Sequence, residues 1–199
     1  MYEVELRGSL NKQEYSNLKH FLQENGNFVS HLKRFLIRFS TKGEDIPSFD
    51  ESLDVRLRVT NGKLEIITKQ GDFAAQYREE SSIFLQAGQF EEALKCLSLL
   101  GYKKGIGAYR IIERYMYRDV EFSLVTVPGY AYFYEAEKLV ENNPDKSAET
   151  IKALLKTMEL KVFEENEFKS FIEDLDHNAN ILFDYATYKS GDIDDVWLV

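Results

Sequence analysis

Cysteine is almost absent from this chain of 199 residues, and that absence limits the kind of protein it can be. Cys96 is the single cysteine, so no intramolecular disulfide can form. It lies in the apolar run ALKCLSLL, which favours a buried side chain that behaves as a small hydrophobe. A chain without disulfides is typical of a reducing compartment, and we expect a cytoplasmic protein.

Long apolar runs are missing too. No stretch approaches the roughly 20 residues that a membrane helix needs. The acidic start MYEVE also differs from a signal peptide, which begins basic and then turns apolar. The three histidines are far apart and have no metal-ligand spacing. We therefore expect neither a membrane protein nor a histidine metal site.

Basic residues are fewer than acidic ones. Lys and Arg number 25 against 34 Asp and Glu, which gives a formal net charge of -9. An acidic chain repels nucleic acid and anionic membranes unless its basic residues are concentrated in one place. The sequence therefore predicts no nucleic-acid partner, and the position of the basic residues matters more than their number.

Proline is scarce, with three residues in the chain, so long strands can run uninterrupted. Apolar and polar residues alternate in YEVELR, KRFLIRFS, LDVRLRV, KLEIITK, AYRIIERYMY, VEFSLVTV and YAYFYEAEKL. Turn signals such as Asn61-Gly62 and Pro128-Gly129 separate these runs. This pattern predicts a largely antiparallel, hairpin-rich sheet.

Helical spacing interrupts the strand pattern in four places. We expect helices at about 11–25, at 90–100, after Pro144 and at about 167–183. The acidic end GDIDDVWLV favours a final loop or short strand anchored by Trp197. No linker or repeat is visible, and the length suits a single domain over residues 1–199.

Paired charges follow several of the predicted strands on one face. Since side chains alternate along a strand, residues two positions apart share a face. The charged sets are Glu3, Glu5 and Arg7; Arg34 and Arg38; Arg56 and Arg58; Lys63, Glu65 and Lys69; Arg110 and Arg114; and Glu135 and Glu137. Either these faces are solvated, or the sheet curls and they enclose a cavity for a polyphosphate and a divalent cation.

In their order along the chain, these motifs resemble the CYTH family, the triphosphate tunnel metalloenzymes, which include class IV adenylyl cyclases, thiamine triphosphatases and inorganic triphosphatases. Glu3-Val4-Glu5-Leu6-Arg7 resembles the family's Glu-x-Glu-x-Lys signature. Arg56-Leu57-Arg58, the strand that ends at Lys69 before Gly71, Arg114, and Phe133-Tyr134-Glu135-Ala136-Glu137 are similar to its later motifs. The resemblance spans about residues 1 to 140.

The resemblance implies an α+β fold: a closed, eight-stranded antiparallel β-barrel flanked by helices, in which a triphosphate compound binds with Mg²⁺ or Mn²⁺. By position, the metal ligands would be Glu3, Glu5, Glu135 and Glu137. The phosphate ligands would be Arg7, Arg56, Arg58, Lys69 and Arg114, to which strand parity adds Arg110. Arg58 and Lys69 are the candidate catalytic residues.

At two positions the chain lacks a charge that the family pattern has. Val125 stands where the family usually has an Asp, and Ile112 stands where it often has a Lys. Glu121 shares the face of Val125, but we expect it to lie some 13 Å away along the strand, too far to replace that Asp. Arg7 also takes the place of the signature Lys.

The expected function is metal-dependent hydrolysis of inorganic triphosphate, thiamine triphosphate or a nucleoside triphosphate. One alternative is a class IV-type adenylyl cyclase that makes cyclic AMP from ATP. The other is a non-catalytic polyphosphate- or nucleotide-binding protein, which the departures at Val125 and Ile112 favour. We expect a monomer or homodimer.

Overall fold

The computed structural model describes residues 2–49, 52–75, 77–194 and 197–198. The helices in these ranges are α1 Lys12–Asn25, α2 Phe90–Leu99, α3 Pro144–Thr157 and α4 Glu165–Asn178. The strands are β1 Tyr2–Leu10, β2 Asn27–Phe39, β3 Leu53–Thr60, β4 Lys63–Gln70, β5 Tyr77–Phe84, β6 Lys104–Tyr117, β7 Val120–Val127, β8 Ala131–Val140 and β9 Ile181–Asp184.

The strands form one sheet in the order β2-β3-β4-β5-β1-β8-β7-β6-β9, and β2 also pairs with β6. That last pairing closes the first eight strands into an antiparallel barrel flanked by the four helices. The predicted α+β class and the eight-stranded closed barrel are therefore confirmed. The short strand β9 pairs with residues 104–107 of β6.

Turn chemistry sets the hairpin register. Asn61 and Gly62, which join β3 to β4, both have positive φ, as a two-residue hairpin turn requires. Arg118 and Asp119 do the same between β6 and β7. Because each turn has two residues, the strands on either side pair from the turn outwards without an offset.

Two sequence expectations differ from the structure. The fourth helix ends at Asn178, and Ile181–Asp184 forms a strand because the apolar run ILF pairs with β6. Cys96 is exposed, since α2 buries the opposite face, which carries Ala93, Leu94 and Leu97. The prediction that the Cys96 side chain is buried is therefore wrong.

The chain divides into two compact units, each made of three chain segments. The first unit comprises the chain up to Leu32, Ala74–Glu79 and Arg110–Phe171. Its core lies where α1 and α3 pack on one face of β1, β7 and β8, with Leu22, Phe122, Tyr134 and Ile151 fully buried. The prediction of a single domain over residues 1–199 stays a prediction.

The second unit comprises Lys33–Phe73, Glu80–Tyr109 and the chain from Ile172 onward. Here α2 packs on one face of β2, β3 and β4, and the core includes Phe35, Ile37, Leu57 and Leu94. Trp197 stacks on Tyr109 with ring centroids 5.0 Å apart, so the predicted anchor is present. In each unit, helices cover one face of the strands, and the candidate site residues lie on the other.

Gly8 marks the closest approach of β1 to another segment of its unit. A Cβ at this position would lie 2.0 Å from the backbone oxygen of Lys161. The contact is fixed, since the Phe163 N–H donates to the Arg7 carbonyl at 2.8 Å and the Tyr134 hydroxyl donates to the Lys161 carbonyl at 3.0 Å. Only glycine fits without moving this segment.

Gly8→Ala is therefore expected to lower the free energy of unfolding by about 1–3 kcal/mol, the usual cost of overpacking. Urea unfolding followed by circular dichroism measures the change. Ser9→Ala, at the exposed neighbouring position, is the control and should leave the midpoint nearly unchanged. An unchanged midpoint for Gly8→Ala would show that the segment at Lys161 moves freely.

Candidate functional site

Three carboxylates form a row across adjacent strands of the first unit. Glu5 on β1 lies directly opposite Glu137 on β8, and Glu137 lies directly opposite Glu121 on β7. Like charges in directly opposed positions repel each other. A protein keeps such a row only when other charges or ligands compensate it.

Arginines compensate the two ends of this row, which we call the acidic row. Both the Nε and Nη2 groups of Arg7 donate to the Glu5 carboxylate. Arg114 donates to Glu121 at 3.0 Å and to the Ser30 hydroxyl at 2.8 Å. The ring of Phe168 also stacks under the Arg7 guanidinium, 4.6 Å from it. Arg7 and Arg114, two of the candidate phosphate ligands of this unit, are thus bound to carboxylates.

Glu137 lies between those two compensated ends. Burial, together with the negative charges of Glu5, Glu135, Glu3 and Glu121, raises the pKa of the Glu137 carboxyl to about 9. The charged form of Glu137 is therefore costly in the ligand-free protein. A cation beside it would remove that cost.

The remaining predicted residues of the first unit lie around the acidic row. Glu135 is directly opposite Arg7 on one side and Ser123 on the other. Glu3 lies two residues before Glu5 on the same face of β1, opposite Leu139. Arg110 is half-buried on β6, on the same face as Arg114.

The two departures from the family pattern turn out to be neighbours. Val125 and Ile112 lie directly opposite each other, and Val125 is also opposite Phe133. All three are buried, and Phe133 packs edge-on against Phe171 at 5.6 Å. Val125 and Ile112 therefore form a buried apolar contact. The family resemblance predicts an acid and a base at these two positions.

Carboxylate oxygens are the ligands that Mg²⁺ and Mn²⁺ prefer, so the donor chemistry of the acidic row suits a hard divalent cation. Among the residues that the structure describes, however, no three acidic, histidine or cysteine side chains are grouped so as to hold a metal ion. Glu5 and Glu121 point to their arginines instead. A metal ion at the acidic row would therefore compete with these arginines for the carboxylates.

The second unit carries a basic cluster on the face of β3 and β4 that α2 does not cover. It consists of Arg56, Arg58 and Lys69, whose side chains are between 11% and 17% exposed. Each cation has a carboxylate partner: Arg56 binds Asp54 through Nε and Nη2 at 2.9 and 2.5 Å, Arg58 binds Glu65 at 2.8 Å, and Lys69 binds Glu80 at 2.6 Å. This burial is unlike a freely solvated strand face.

Glu80 shows the strength of the positive field in this cluster. Burial alone raises the pKa of a carboxyl, but Lys69, Arg58 and Arg56 hold the pKa of Glu80 below its usual value. The cluster therefore favours an anion even where a group is partly withdrawn from water.

Arg38, a further basic candidate, has a different partner. It forms a buried ion pair with Asp176 of α4 at 2.7 Å, and the Asn180 side chain donates to the other Asp176 oxygen at 2.8 Å. The guanidinium also lies over the ring of Phe73 at 4.8 Å. This pair fastens the end of α4 to β2.

Sequence reasoning missed several acidic partners. Asp54 shares a strand face with Arg56, so parity alone would have identified it. Glu65 is on the predicted face of Lys69, but its pairing with Arg58 depends on the strand register. Glu121 was set aside because of its distance from Val125, whereas its position opposite Glu137 is what matters. No local signal identifies Asp176, because its contact with Arg38 joins residues 138 positions apart.

No helix in the described part of the chain is long and apolar enough to cross a membrane.

The fold and the charged clusters define a barrel protein whose buried face carries arginines, lysine and carboxylates. No protein-family model matches the sequence, and no curated protein matches it either.

Solved structures share the fold. PH1819 of Pyrococcus horikoshii aligns with a TM-score of 0.69 and 21% identity over 86% of this chain and 98% of that chain. A protein of Vibrio parahaemolyticus, provisionally described as an adenylate cyclase, aligns with a TM-score of 0.61 and 15% identity over 82% and 94%. HpAC1 of Hippeastrum, an adenylyl cyclase candidate described as having a dominant triphosphatase activity, aligns with a TM-score of 0.55 and 16% identity over 81% and 89%.

The Arg38–Asp176 pair generates a stability prediction. Asp176→Leu should cost about 3–5 kcal/mol, because it leaves a buried guanidinium without a counter-charge. Arg38→Met combined with Asp176→Leu should recover most of that loss, since both charges are then gone. Equilibrium urea unfolding measures both.

The exposed pair Lys169–Glu165 offers a matched control, and Lys169→Met should change the unfolding midpoint little. If the double variant is as unstable as Asp176→Leu, packing around α4 and not charge determines the loss.

Proposed function

We propose that this chain is a divergent CYTH-type protein that hydrolyses a triphosphate compound with the help of a divalent metal. The observation that carries the proposal is the basic cluster, in which Arg56, Arg58 and Lys69 lie together on a largely buried strand face. Guanidinium groups bind phosphate oxygens through two parallel hydrogen bonds, and a buried lysine adds a point charge. An oligophosphate is the small anion that suits such a set.

The acidic row is the proposed metal side. Glu3, Glu5, Glu135 and Glu137 would hold Mg²⁺ or Mn²⁺, and Glu121 is placed to join them. A cation bound there would supply positive charge that can neutralise phosphate oxygens. The raised pKa of Glu137 supports this assignment, since its carboxyl lies among four other carboxylates.

The chain's own residues would do the remaining work by position and charge. Arg56 holds the phosphate chain, while Arg58 and Lys69 neutralise the charge that develops on the equatorial oxygens of the attacked phosphorus. In-line attack by water then needs little covalent chemistry from the protein. Arg7, Arg110 and Arg114 are the proposed phosphate ligands of the first unit.

The fold supports this proposal through its likeness to HpAC1, for which a dominant triphosphatase activity is described. A cyclase that uses the ribose 3′-hydroxyl of ATP as nucleophile remains an alternative, and the likeness to the Vibrio protein supports it. A binder without catalysis is favoured by one observation, the apolar pair Val125 and Ile112.

The test is phosphate release from inorganic triphosphate, thiamine triphosphate and ATP, with Mg²⁺ or Mn²⁺ present and after treatment with EDTA. We expect metal-dependent release, reduced by about 100-fold or more in Arg58→Ala because a donor to the transition state is lost. Formation of cyclic AMP from ATP would instead identify the cyclase.

Lys33→Ala is the matched control, because Lys33 is an exposed cation of the same unit. Its activity should equal that of the unmodified protein. If triphosphate raises the melting temperature but no phosphate is released, the protein is a binder without catalysis. Release that Arg58→Ala leaves unchanged would contradict the proposal.

A further inference from the structure

The carboxylates of the basic cluster use the hydrogen-bonding groups that a phosphate would need. Asp54 takes both the Nε and the Nη2 donors of Arg56. Glu65 takes the Nε donor of Arg58, which lies directly opposite it on the neighbouring strand. A carboxylate and a phosphate present similar pairs of oxygens to a guanidinium, so they compete for its donors.

Asp54 and Glu65 are also buried, with side chains only 7% exposed. In such surroundings their charges are poorly screened. Asp54 lies directly opposite Lys69, and its charge acts on Arg38 as well. One carboxylate therefore serves several cations of this face.

We propose that Asp54 and Glu65 are intramolecular competitors of the substrate, which stabilise the ligand-free cluster and lower its affinity for oligophosphate. This inference rests on the proposed function, since it requires that the basic cluster binds phosphate. The two carboxylates occupy the arginines when no ligand is present. A bound phosphate must displace them or bind beside them against their negative charge.

An orienting role for the same carboxylates would have the opposite effect on affinity. A carboxylate that fixes Arg56 saves the entropy of ordering one side chain when phosphate binds. That saving is limited to a few rotatable bonds. The repulsion between a buried carboxylate and a phosphate with several negative charges acts over a short distance in a medium of low polarity, so it outweighs the saving.

Glu80 differs from these two carboxylates. Its side chain is 26% exposed, so it can turn to solvent when a phosphate approaches Lys69. We therefore assign the competition to Asp54 and Glu65, whose burial keeps them beside their arginines.

The experiment measures stability and affinity in the same variants, Asp54→Asn and Glu65→Gln, which keep the shape of each side chain. Without ligand, both should melt at lower temperature than the unmodified protein, because a buried guanidinium loses its counter-charge. Isothermal titration with sodium tripolyphosphate in EDTA should give a dissociation constant about tenfold lower in each. Glu44→Gln, an exposed carboxylate of the same unit, should change neither quantity.

The outcomes separate the inference from the function on which it rests. If the unmodified protein binds tripolyphosphate and both variants bind it equally or more weakly, the inference is wrong while the proposed function stands. If neither the unmodified protein nor the variants bind it, the phosphate-binding role itself fails. If Asp54→Asn does not fold, Glu65→Gln decides alone, since its partner is a single arginine.

Discussion

The pairing of carboxylates with guanidinium groups on one face of the strands is the interaction on which the structure depends. In each unit, helices cover the opposite, apolar face, so the candidate site residues of the alternating strands lie on the remaining face. Burial there would be too costly for isolated charges. Ion pairs reduce that cost; examples are Arg56 with Asp54, Arg58 with Glu65, and Arg7 with Glu5.

The two units use this interaction differently. In the first unit the carboxylates meet one another, and Glu137 remains among acids while arginines bind the ends of the row. In the second unit the cations lie together and carboxylates neutralise them. One unit therefore concentrates carboxylates, and the other concentrates cations that carboxylates neutralise.

The period-two pattern of the strands predicted much of this arrangement. Alternation alone identifies which residues share a strand face. It therefore predicts the charged sets that contain Glu5, Arg58 and Glu137. What alternation cannot provide is register, because the position of one strand against the next depends on turns and on packing far away in sequence. The contact of Glu121 with Arg114 and the contact of Asp176 with Arg38 depend on such long-range features, so alternation could not predict them.

Register also changes the meaning of the two departures from the family pattern. In the sequence, Val125 and Ile112 stand apart, at positions where the resemblance predicts an acid and a base. In the sheet they are one buried apolar contact, supported by Phe133. An apolar pair in place of an opposed acid and base leaves the local charge balanced and buries no unpaired charge.

The most direct test of this account is a crystal structure of the protein soaked with tripolyphosphate and Mn²⁺, with the metal located by its anomalous scattering. The account predicts phosphate oxygens on Arg56 and Arg58, and a manganese peak beside Glu137. Crystals in which these arginines keep only their carboxylates and no manganese lies beside the acidic row would contradict it.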